Sequence, residues 1–467
     1  MEEFENPDKG WAAIEFEGLS LGDKRLEKRL LKVAEQLSSN LQLPIYAATK
    51  EWASAKAAYR LFDNEKVCAE KILAPHRAQT IARILQEELV LAIQDTTYLN
   101  FSRGKKSKSL GPIGDSISQA QGMVMHHTVA ITPSNLPMGI LSQKIWVRDG
   151  FNEQTDSEKW KAPIEEKESY KWIEALREVT EIVPRTTRVI TVCDREADIY
   201  EFLSEAKALN ADILIRACSD RNLAEEPEQR LFNKLSTLPV IGVAELSLPR
   251  HDRPNCKVTF DIRVGAVTLA PPQRYGVSTL EPLKMFCILA SEQSPVNENE
   301  KLEWRLMTNI PVLSLDDAIE KILWYRCRWQ IEVYHRILKT GCDVEGCLLE
   351  ERDRITRYLV LFSVIAWRIF WMTHIARVNP NAPASTILSK RELDVLHVFT
   401  KENTCFKNNI STAKEVILAI AMLGGFLNRK HDGKPGPTPV WRGWQLLQML
   451  AINLNKERAK AIFATYG

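Results

Sequence analysis

The fold is decided by the stretch WYRCRWQIEVYHRILKTG, which occupies residues 324–341. Successive residues of an α-helix are rotated by about 100° around its axis. At that spacing Arg328, Glu332 and Lys339 fall within roughly 60° of Tyr325, all to the same side. Four polar or charged side chains therefore share one narrow stripe of the predicted helix.

Apolar residues flank this stripe on both sides: Trp324, Ile331 and Leu338 on one side, and Trp329, Val333 and Ile337 on the other. The pattern predicts a largely buried helix, in which charged groups need partners. A carboxylate suits a hard divalent cation, while arginine and lysine suit phosphate, so the stripe is compatible with a phosphodiester site. An internally salt-bridged helix explains the stripe alone equally well.

The spacing Y-x-x-R-x-x-x-E-x-x-x-x-x-x-K within this stretch resembles the signature of bacterial insertion-sequence transposases with a DDE catalytic core. CRWQIEVYHR at 327–336 and CDREADIY at 193–200 are similar to text in the insertion-sequence-four family, which includes the Tn-five transposase. The resemblance implies a DNA transposase that performs cut-and-paste transposition by nicking, hairpin formation and strand transfer. It also implies a ribonuclease-H-like core.

Length and composition agree with a globular protein of about two to four domains. The chain has 467 residues, 45% of them hydrophobic and 26% charged, with a net charge of +2, so any DNA-binding cations must be clustered locally. The start, MEEFENPDKG, does not resemble a signal peptide, and the longest apolar run, near 359–367, is shorter than the roughly 20 residues of a membrane span. Nine scattered cysteines suggest reduced thiols. We expect a bacterial cytoplasmic protein, associated with the nucleoid when bound to DNA, with no membrane partner.

Residues 1–66 are predicted to be helical, with one helix capped by Ser20. Four cations share a face of that helix: Arg25, Lys28, Arg29 and Lys32. This face is either a phosphate-binding surface or an ordinary solvated basic face. The resemblance implies that the segment recognises the transposon end, with Arg25 and Arg29 matching family arginines.

Two acidic residues follow apolar strands. ELVLAIQDTTYLNF predicts a buried strand ending at Asp95, and TRVITVCDREADIYEFL predicts a strand stopped by Asp194 that leads into a helix. Taken singly, each acid more commonly has a structural role than a catalytic one, Asp95 as a turn residue at the end of a strand and Asp194 as a helix cap. An antiparallel pair, VMHHTVAI and MGILSQKIWV, lies between them. The basic loop at 103–108 is interpreted as a mobile segment, with a DNA-facing surface as the alternative.

The predicted architecture is α/β, with a ribonuclease-H-like catalytic domain flanked by helical domains. The catalytic domain covers 67–372 and contains a β-rich insertion at about 220–305. Residues 373–467 are predicted to form a helical dimerisation domain, on their resemblance to the family.

The resemblance implies a catalytic triad of Asp95, Asp194 and Glu332 that holds two Mg²⁺ ions, with Mn²⁺ as a substitute. Its other implied site residues bind DNA: Tyr325, Arg328, Lys339, Arg216 and Trp304. Trp304 would stack on a base flipped out during hairpin formation, although core packing is the common role of a lone tryptophan in a strand.

The implied partners are double-stranded DNA, as terminal inverted repeats and target, and a second copy of the chain in a paired-end complex. Two alternatives use the same fold. One is a DNA-binding regulator that pairs with an active transposase and inhibits it; the other is a simple ribonuclease-H-like nuclease. The amino-terminal segment and all three acids favour the active enzyme.

Overall fold

The computed structural model describes residues 10–102, 109–114, 120–150, 162–250, 253–272, 280–295, 301–401 and 410–453. The predicted basic loop at 103–108 lies outside the described residues. The α/β class is confirmed, because helices surround one large mixed sheet.

The amino-terminal part is helical, with α1 (Trp11–Glu15), α2 (Lys24–Ser38), α3 (Ile45–Ala48) and α4 (Trp52–Asp63). The predicted Ser20 cap is wrong. Helix α2 is capped by Asp23, which accepts a hydrogen bond from the Arg25 amide at 2.8 Å, directly after Gly22 at φ 76°. The left-handed glycine turns the chain, and the aspartate satisfies one free amide of the first helical turn.

In the part of the chain that the structure describes, ten strands form the sheet: β1 (Leu89–Asn100), β2 (Gly111–Pro112), β3 (Gln121–Ile131), β4 (Pro137–Trp146), β5 (Arg188–Cys193), β6 (Asp212–Arg216), β7 (Gly242–Arg250), β8 (Arg253–Leu269), β9 (Leu283–Glu292) and β10 (Glu303–Thr308). Their order is β2-β3-β1-β5-β6-β10-β9-β8-β7, and β4 also pairs with β3. Strands β1, β5 and β6 are parallel, whereas the predicted β3–β4 pair is antiparallel, as expected.

Strand β1 lies between β3 and β5. The sequence predicted that it ends at Asp95, but it extends to Asn100. Its antiparallel ladder with β3 continues to the pair Asn100–Gly122, because β3 is long enough to supply backbone partners beyond Asp95. The parallel neighbour β5 is shorter, and its last pair with β1 is Ile93–Val192. Asp95 therefore stands where β1 has lost its partner on one side.

The segment predicted as a β-rich insertion contains β7, β8 and β9, together with helix α8 defined below. It does not form a separate sheet. Strand β10 pairs with β6 on one side and β9 on the other, so that the insertion extends the central sheet.

Helices cover the sheet and continue to the carboxyl end: α5 (Ala69–Ile84), α6 (Tyr170–Ile182), α7 (Tyr200–Leu209), α8 (Leu231–Thr237), α9 (Leu315–Cys327), α10 (Trp329–Arg336), α11 (Arg352–Val378), α12 (Lys390–Lys401), α13 (Ala413–Leu423) and α14 (Pro437–Asn453). Among the described helices, α11 is long and apolar enough to span a membrane by length and composition. Most of its apolar stretch is buried inside the protein, which is also typical of a core helix.

The stretch 324–341 is helical throughout but irregular. Helices α9 and α10 meet at Arg328, whose backbone is itself helical, and residues Ile337–Gly341 form a π-helical turn. The two apolar bands are not equally buried, since Ile331 is fully buried whereas Trp329 is 55% exposed. The prediction of a buried band on both sides is therefore wrong at Trp329, because only part of the helix circumference is covered by the core.

Candidate active site

Two acids meet at the end of the parallel β1–β5 pair. The last paired residues are Ile93 and Val192, and two positions further along each chain lie Asp95 and Asp194. Since parallel strands carry equivalent positions to the same edge of a sheet, this register brings the two carboxylates side by side. Asp194 also accepts a hydrogen bond from the Glu196 amide at 2.8 Å, so the helix-cap role considered for it is present in the structure as well.

The third acid arrives on the helix. Helix α9 begins with a capping box between Ser314 and Asp317, which fixes its start, and its continuation α10 carries Glu332 across the edge of the sheet. A cleft of about 310 Å³ is lined by seven residues: Asp95, Asp194, Arg195, Arg216, Tyr325, Arg328 and Glu332. The structure thus gathers the three predicted acids and three of the predicted DNA-binding residues.

Arg195 was not identified from the sequence. It follows Asp194 directly and begins the short 3-10 turn Arg195–Ala197. Its position within CDREADIY could have indicated a role in the site, because a cation next to a candidate metal ligand can contact phosphate.

Burial dominates the electrostatics of Asp95. Loss of solvent raises its pKa to about 7 from the usual 3.8. The Arg328 guanidinium opposes this rise in pKa, whereas the neighbouring carboxylates Asp194 and Glu332 add to it. Burial and two neighbouring carboxylates make the charged form of Asp95 costly, and a cation is favourable in such an environment.

The donor set fits a hard divalent cation, because it consists of carboxylate oxygens. The present arrangement is not yet a complete ligand shell. Among the described residues, no three His, Cys, Asp or Glu side chains are placed to hold one ion. Glu332 accepts a hydrogen bond from Arg328 at 2.5 Å, so one of its two oxygens already has a cationic partner.

Tyr325 and Trp304 form an aromatic pair at one side of the cleft. Their ring centroids are 5.7 Å apart at 66°, and Trp304 stacks on Phe260 at 5.8 Å and 24°. Tyr325 is buried, and burial raises the pKa of its phenol. Trp304 is half-buried, packs against the core and contacts Tyr325, a residue of the cleft lining, so it has the contacts of a core residue while keeping an accessible part.

Lys339 is not among the residues that line the cleft. Its Nζ donates to the Tyr98 carbonyl oxygen at 2.8 Å and lies 3.5 Å from Glu345. The π turn at Ile337–Gly341 changes the rotation per residue, which moves Lys339 away from the stripe that a regular helix predicts.

Arg25 and Arg29 lie on α2 and not in the cleft. Arg25 is exposed and Arg29 is half-buried, while the opposite face of α2 buries Leu30, Val33 and Leu37. The basic face thus remains available at the surface of the amino-terminal helices.

Two histidines behind Asp95 were also missed. The Nδ1 atom of His335 lies 3.8 Å from Oδ2 of Asp95, and the Nε2 atom of His335 is 3.1 Å from Nδ1 of His127. His127 is the direct partner of Asp95 in the β1–β3 ladder, and the Tyr334 hydroxyl is 3.4 Å from its Nε2 atom. Two features of the sequence could have indicated these histidines: His335 follows Glu332 by three positions, and His127 belongs to a pair of histidines on a predicted strand.

Three family models match the chain. They are described as "Transposase DNA-binding" over residues 8–67, "Transposase DDE domain" over 172–367 and "Transposase Tn5 dimerisation domain" over 364–464. The DDE match includes Asp194 and Glu332 but begins after Asp95.

Among solved structures, a cryo-EM structure of a piggyBac transposase synaptic complex with hairpin DNA is similar at 9% sequence identity. That similarity covers 95% of this chain and 76% of the other, with a TM-score of 0.36. The assignment of this chain rests on the three family models.

Proposed function

Because the chain is a DNA transposase, with DNA-binding, DDE and Tn5-type dimerisation domains, we propose that it performs cut-and-paste transposition of an insertion sequence. As a DDE transposase it is a metal-dependent DNA endonuclease and strand transferase that binds DNA and forms homodimers. The motifs CDREADIY and CRWQIEVYHR support membership of the insertion-sequence-four family.

The observation that carries the proposal is the convergence of Asp95, Asp194 and Glu332 on one cleft together with three arginines and a tyrosine. We assign these acids as the catalytic triad that holds Mg²⁺, two ions per site, with Mn²⁺ as a substitute. When bound, the ions activate water or a 3′ hydroxyl and stabilise the leaving oxygen. Nicking, hairpin formation, hairpin opening and strand transfer are all phosphodiester displacements, so one site serves every step.

The cations of the cleft bind the phosphate under attack. In this proposal Arg216 and Arg328, which line the cleft, donate to non-bridging oxygens, and Tyr325 holds the backbone beside them. In this proposal Arg328 leaves Glu332 when DNA arrives, which frees the carboxylate for the cation. Lys339 contacts the DNA backbone outside the cleft, and Trp304 stacks on a flipped base.

The strand order supports a ribonuclease-H-like core. Strands β4, β3, β1, β5 and β6 lie side by side, with the last three parallel and β3 and β4 antiparallel to their neighbours. We place the domain boundaries at 1–66, 67–372 and 373–467, with the β-rich insertion at about 220–305.

Arg25 and Arg29 of α2 are proposed to contact the terminal inverted repeats, while residues 373–467 pair two protomers in a complex that holds both ends and meets target DNA. We place the protein in the bacterial cytoplasm, associated with the nucleoid when bound to DNA. The inhibitor alternative is less well supported, because the DNA-binding region and all three acids are present.

The test uses purified protein and a duplex that carries the inverted repeat flanking the reading frame. Nicking is expected only with Mg²⁺ or Mn²⁺, and Asp95→Ala, Asp194→Ala and Glu332→Ala should each abolish it while end binding remains. Asp316→Ala, an exposed acid on α9, is the matched control and should nick normally. Full nicking by any of the three variants removes that residue from the triad, and binding without nicking by the wild type favours the inhibitor.

A further inference from the structure

Two loops leave the sheet beside the catalytic cleft, one after β5 and one after β6. These strands are parallel, and their last backbone pair is Cys193–Ile215. The next residue of each chain, Asp194 or Arg216, lines the cleft. Parallel strands carry equivalent positions to the same edge of a sheet, so the two loops begin side by side. The β5–β6 ladder ends one residue before the two cleft residues, and their relative position depends on other contacts.

Asp198 joins the two loops. It ends the 3-10 turn Arg195–Ala197 of the β5 loop, and its side chain is completely buried. One carboxylate oxygen accepts hydrogen bonds from the backbone amides of Cys218 and Ser219 in the β6 loop, at 2.8 and 2.7 Å. A side chain of the first loop therefore holds the backbone of the second.

Arg221, further along the β6 loop, completes the link. Its Nε and Nη2 atoms both donate to the other carboxylate oxygen of Asp198, Nε at 3.1 Å. The same Nη2 atom donates to the Asp198 carbonyl oxygen at 2.7 Å. The Sγ atom of Cys218 donates to the Arg195 carbonyl oxygen at 3.1 Å, which adds a contact between the loops. One guanidinium thus holds both the side chain and the main chain of Asp198.

Net stability is a weak explanation for this buried ion pair. Removing two charges from water costs about as much as their attraction returns, so such pairs add little net stability while restricting how the segments that carry them can pack. Asp198 is not among the residues that line the cleft. The link can, however, set the position of Asp194 and Arg195 on one loop relative to Arg216 at the start of the other.

We propose that Asp198 is a positioning residue for the reaction, because it fixes Asp194, which holds the cation, relative to Arg216, which binds the phosphate. This inference rests on the proposed function, which gives Asp194 and Arg216 those roles. Asp198 acts from behind the cleft and contacts neither the cation nor the DNA. Its removal should matter nevertheless, since a displacement of about 1 Å in an active site can cost about a hundredfold in rate.

Metal binding is measured by calorimetric titration of the full chain with Mn²⁺, without DNA. All partners of the Asp198 carboxylate are donors, so the amide NH₂ group of Asp198→Asn meets a donor and the link weakens. Affinity for Mn²⁺ should fall about tenfold or more, as for other supports of metal ligands. Arg221→Lys keeps the charge but not the fork that reaches both oxygens, and should have the same effect to a smaller extent. Unchanged affinity in these variants, shown to be folded by thermal unfolding, overturns the proposal.

Two controls accompany the titration. Arg188 donates to Asp212 at 2.7 Å and joins β5 to β6 at their opposite ends, so Asp212→Asn should leave Mn²⁺ affinity unchanged. Glu15 is a buried carboxylate that pairs with Arg83 and does not line the cleft. Glu15→Gln should lower the unfolding temperature while Mn²⁺ affinity stays that of the wild type. A fall in affinity in either control as large as that in Asp198→Asn overturns the positioning role.

Nicking at saturating Mn²⁺ and terminal-repeat DNA tests the link to Arg216. Asp198→Asn should nick about a hundredfold more slowly, with end affinity unchanged. It should add little further loss in an Arg216→Ala background, because residues that act as a unit are not additive. Losses that multiply in full overturn the proposal.

The two readouts also separate this inference from the proposed function. A wild type that binds Mn²⁺ but does not nick overturns the proposed function, whereas the metal titration, which uses no DNA, still decides whether Asp198 positions Asp194. A wild type without affinity for Mn²⁺ overturns both.

Discussion

Arg328 donates a hydrogen bond to Glu332 across one turn of helix, with 2.5 Å between Nη2 and Oε1. The same guanidinium lowers the pKa of Asp95 against the larger effect of burial. Arg328 therefore balances the charge of two acids in the cleft. The proposed function requires it to leave Glu332 and to bind a DNA phosphate instead.

Asp95 should make stability depend on pH. Its folded pKa of about 7 lies above the ordinary 3.8, so its contribution to stability is fully present below about pH 4 and is lost as pH rises through 7. Asp95→Asn should therefore be more stable than the wild type at pH 8, by as much as about 4 kcal/mol, and the two should converge at low pH. Metal-free denaturant unfolding across this range measures the effect, with Asp316→Asn as control. An equal difference at pH 5 and pH 8 would contradict the perturbed pKa.

The same carboxyl should control metal affinity. A proton must leave Asp95 before it can hold a cation, so affinity for Mn²⁺ should decline as pH falls below about 7. Removing Arg328 should move that decline to higher pH, because its guanidinium lowers the pKa of Asp95. Arg328→Met should also lose about 10²–10³-fold in nicking rate with end binding retained, as expected for loss of a transition-state donor. Calorimetric Mn²⁺ titrations from pH 6 to 9 test this, and a decline that stays at the wild-type pH refutes the coupling.

His335 should act on metal binding through Asp95. Loss of a side chain behind a metal ligand typically weakens metal affinity about 10–100-fold. We expect this loss of metal affinity for His335→Ala. His126→Ala should lower the stability of the protein but leave its metal affinity unchanged. His126 is also a buried histidine, but its hydrogen-bond partners are Gln94 and Thr96 and not the acids. Equal Mn²⁺ affinity in the two variants would show that His335 only packs the core.

The proposed DNA contact of the basic face of α2 can be tested by the salt dependence of binding. If Arg29 contacts a phosphate, Arg29→Ala should weaken binding to the terminal repeat and reduce the slope of log affinity against log salt by about 1. Arg185→Ala, at an exposed arginine outside this face, should leave both quantities unchanged. Filter binding at several salt concentrations provides the measurement. An unaltered slope for Arg29→Ala would favour a solvated face.

The pattern of apolar runs was enough to predict the strands that carry the acids, because continuous burial on both faces of a sheet leaves a clear signal at 89–93 and 188–193. It could not predict where β1 ends. That point depends on the unequal lengths of its neighbours β3 and β5, which are properties of pairing and not of the strand itself.

The cleft was predictable where the helix is regular and unpredictable where it is not. Tyr325, Arg328 and Glu332 reach the cleft as the 100° rotation requires. Lys339 does not reach the cleft. It lies within the π turn Ile337–Gly341, and no residue type in ILKTG indicates that turn. His127 was missed since its role comes from lying opposite Asp95, which is a matter of register.

Two roles are compatible with the position of Trp304, packing in the core and stacking on a DNA base. Its ring stacks on the fully buried Phe260 and meets the edge of Tyr325, a residue of the cleft. Because Trp304 itself is only half-buried, part of the indole can still receive a base. Flipping a base out of the duplex costs a few kcal/mol, which stacking on an aromatic ring offsets.

If Trp304 stacks on a flipped base, Trp304→Ala should reduce hairpin formation while end binding, first-strand nicking and thermal stability stay close to the wild type. Trp304→Phe retains a ring and should restore much of the hairpin yield. Phe260→Leu is the matched control, since it loosens the packing beneath Trp304 and should lower stability without a selective effect on hairpins. Gel analysis of nicked and hairpin products, together with unfolding temperatures, separates the roles. A parallel fall of nicking, hairpin yield and stability in Trp304→Ala would assign Trp304 to the core, because a base-stacking residue acts only after the first strand has been cut.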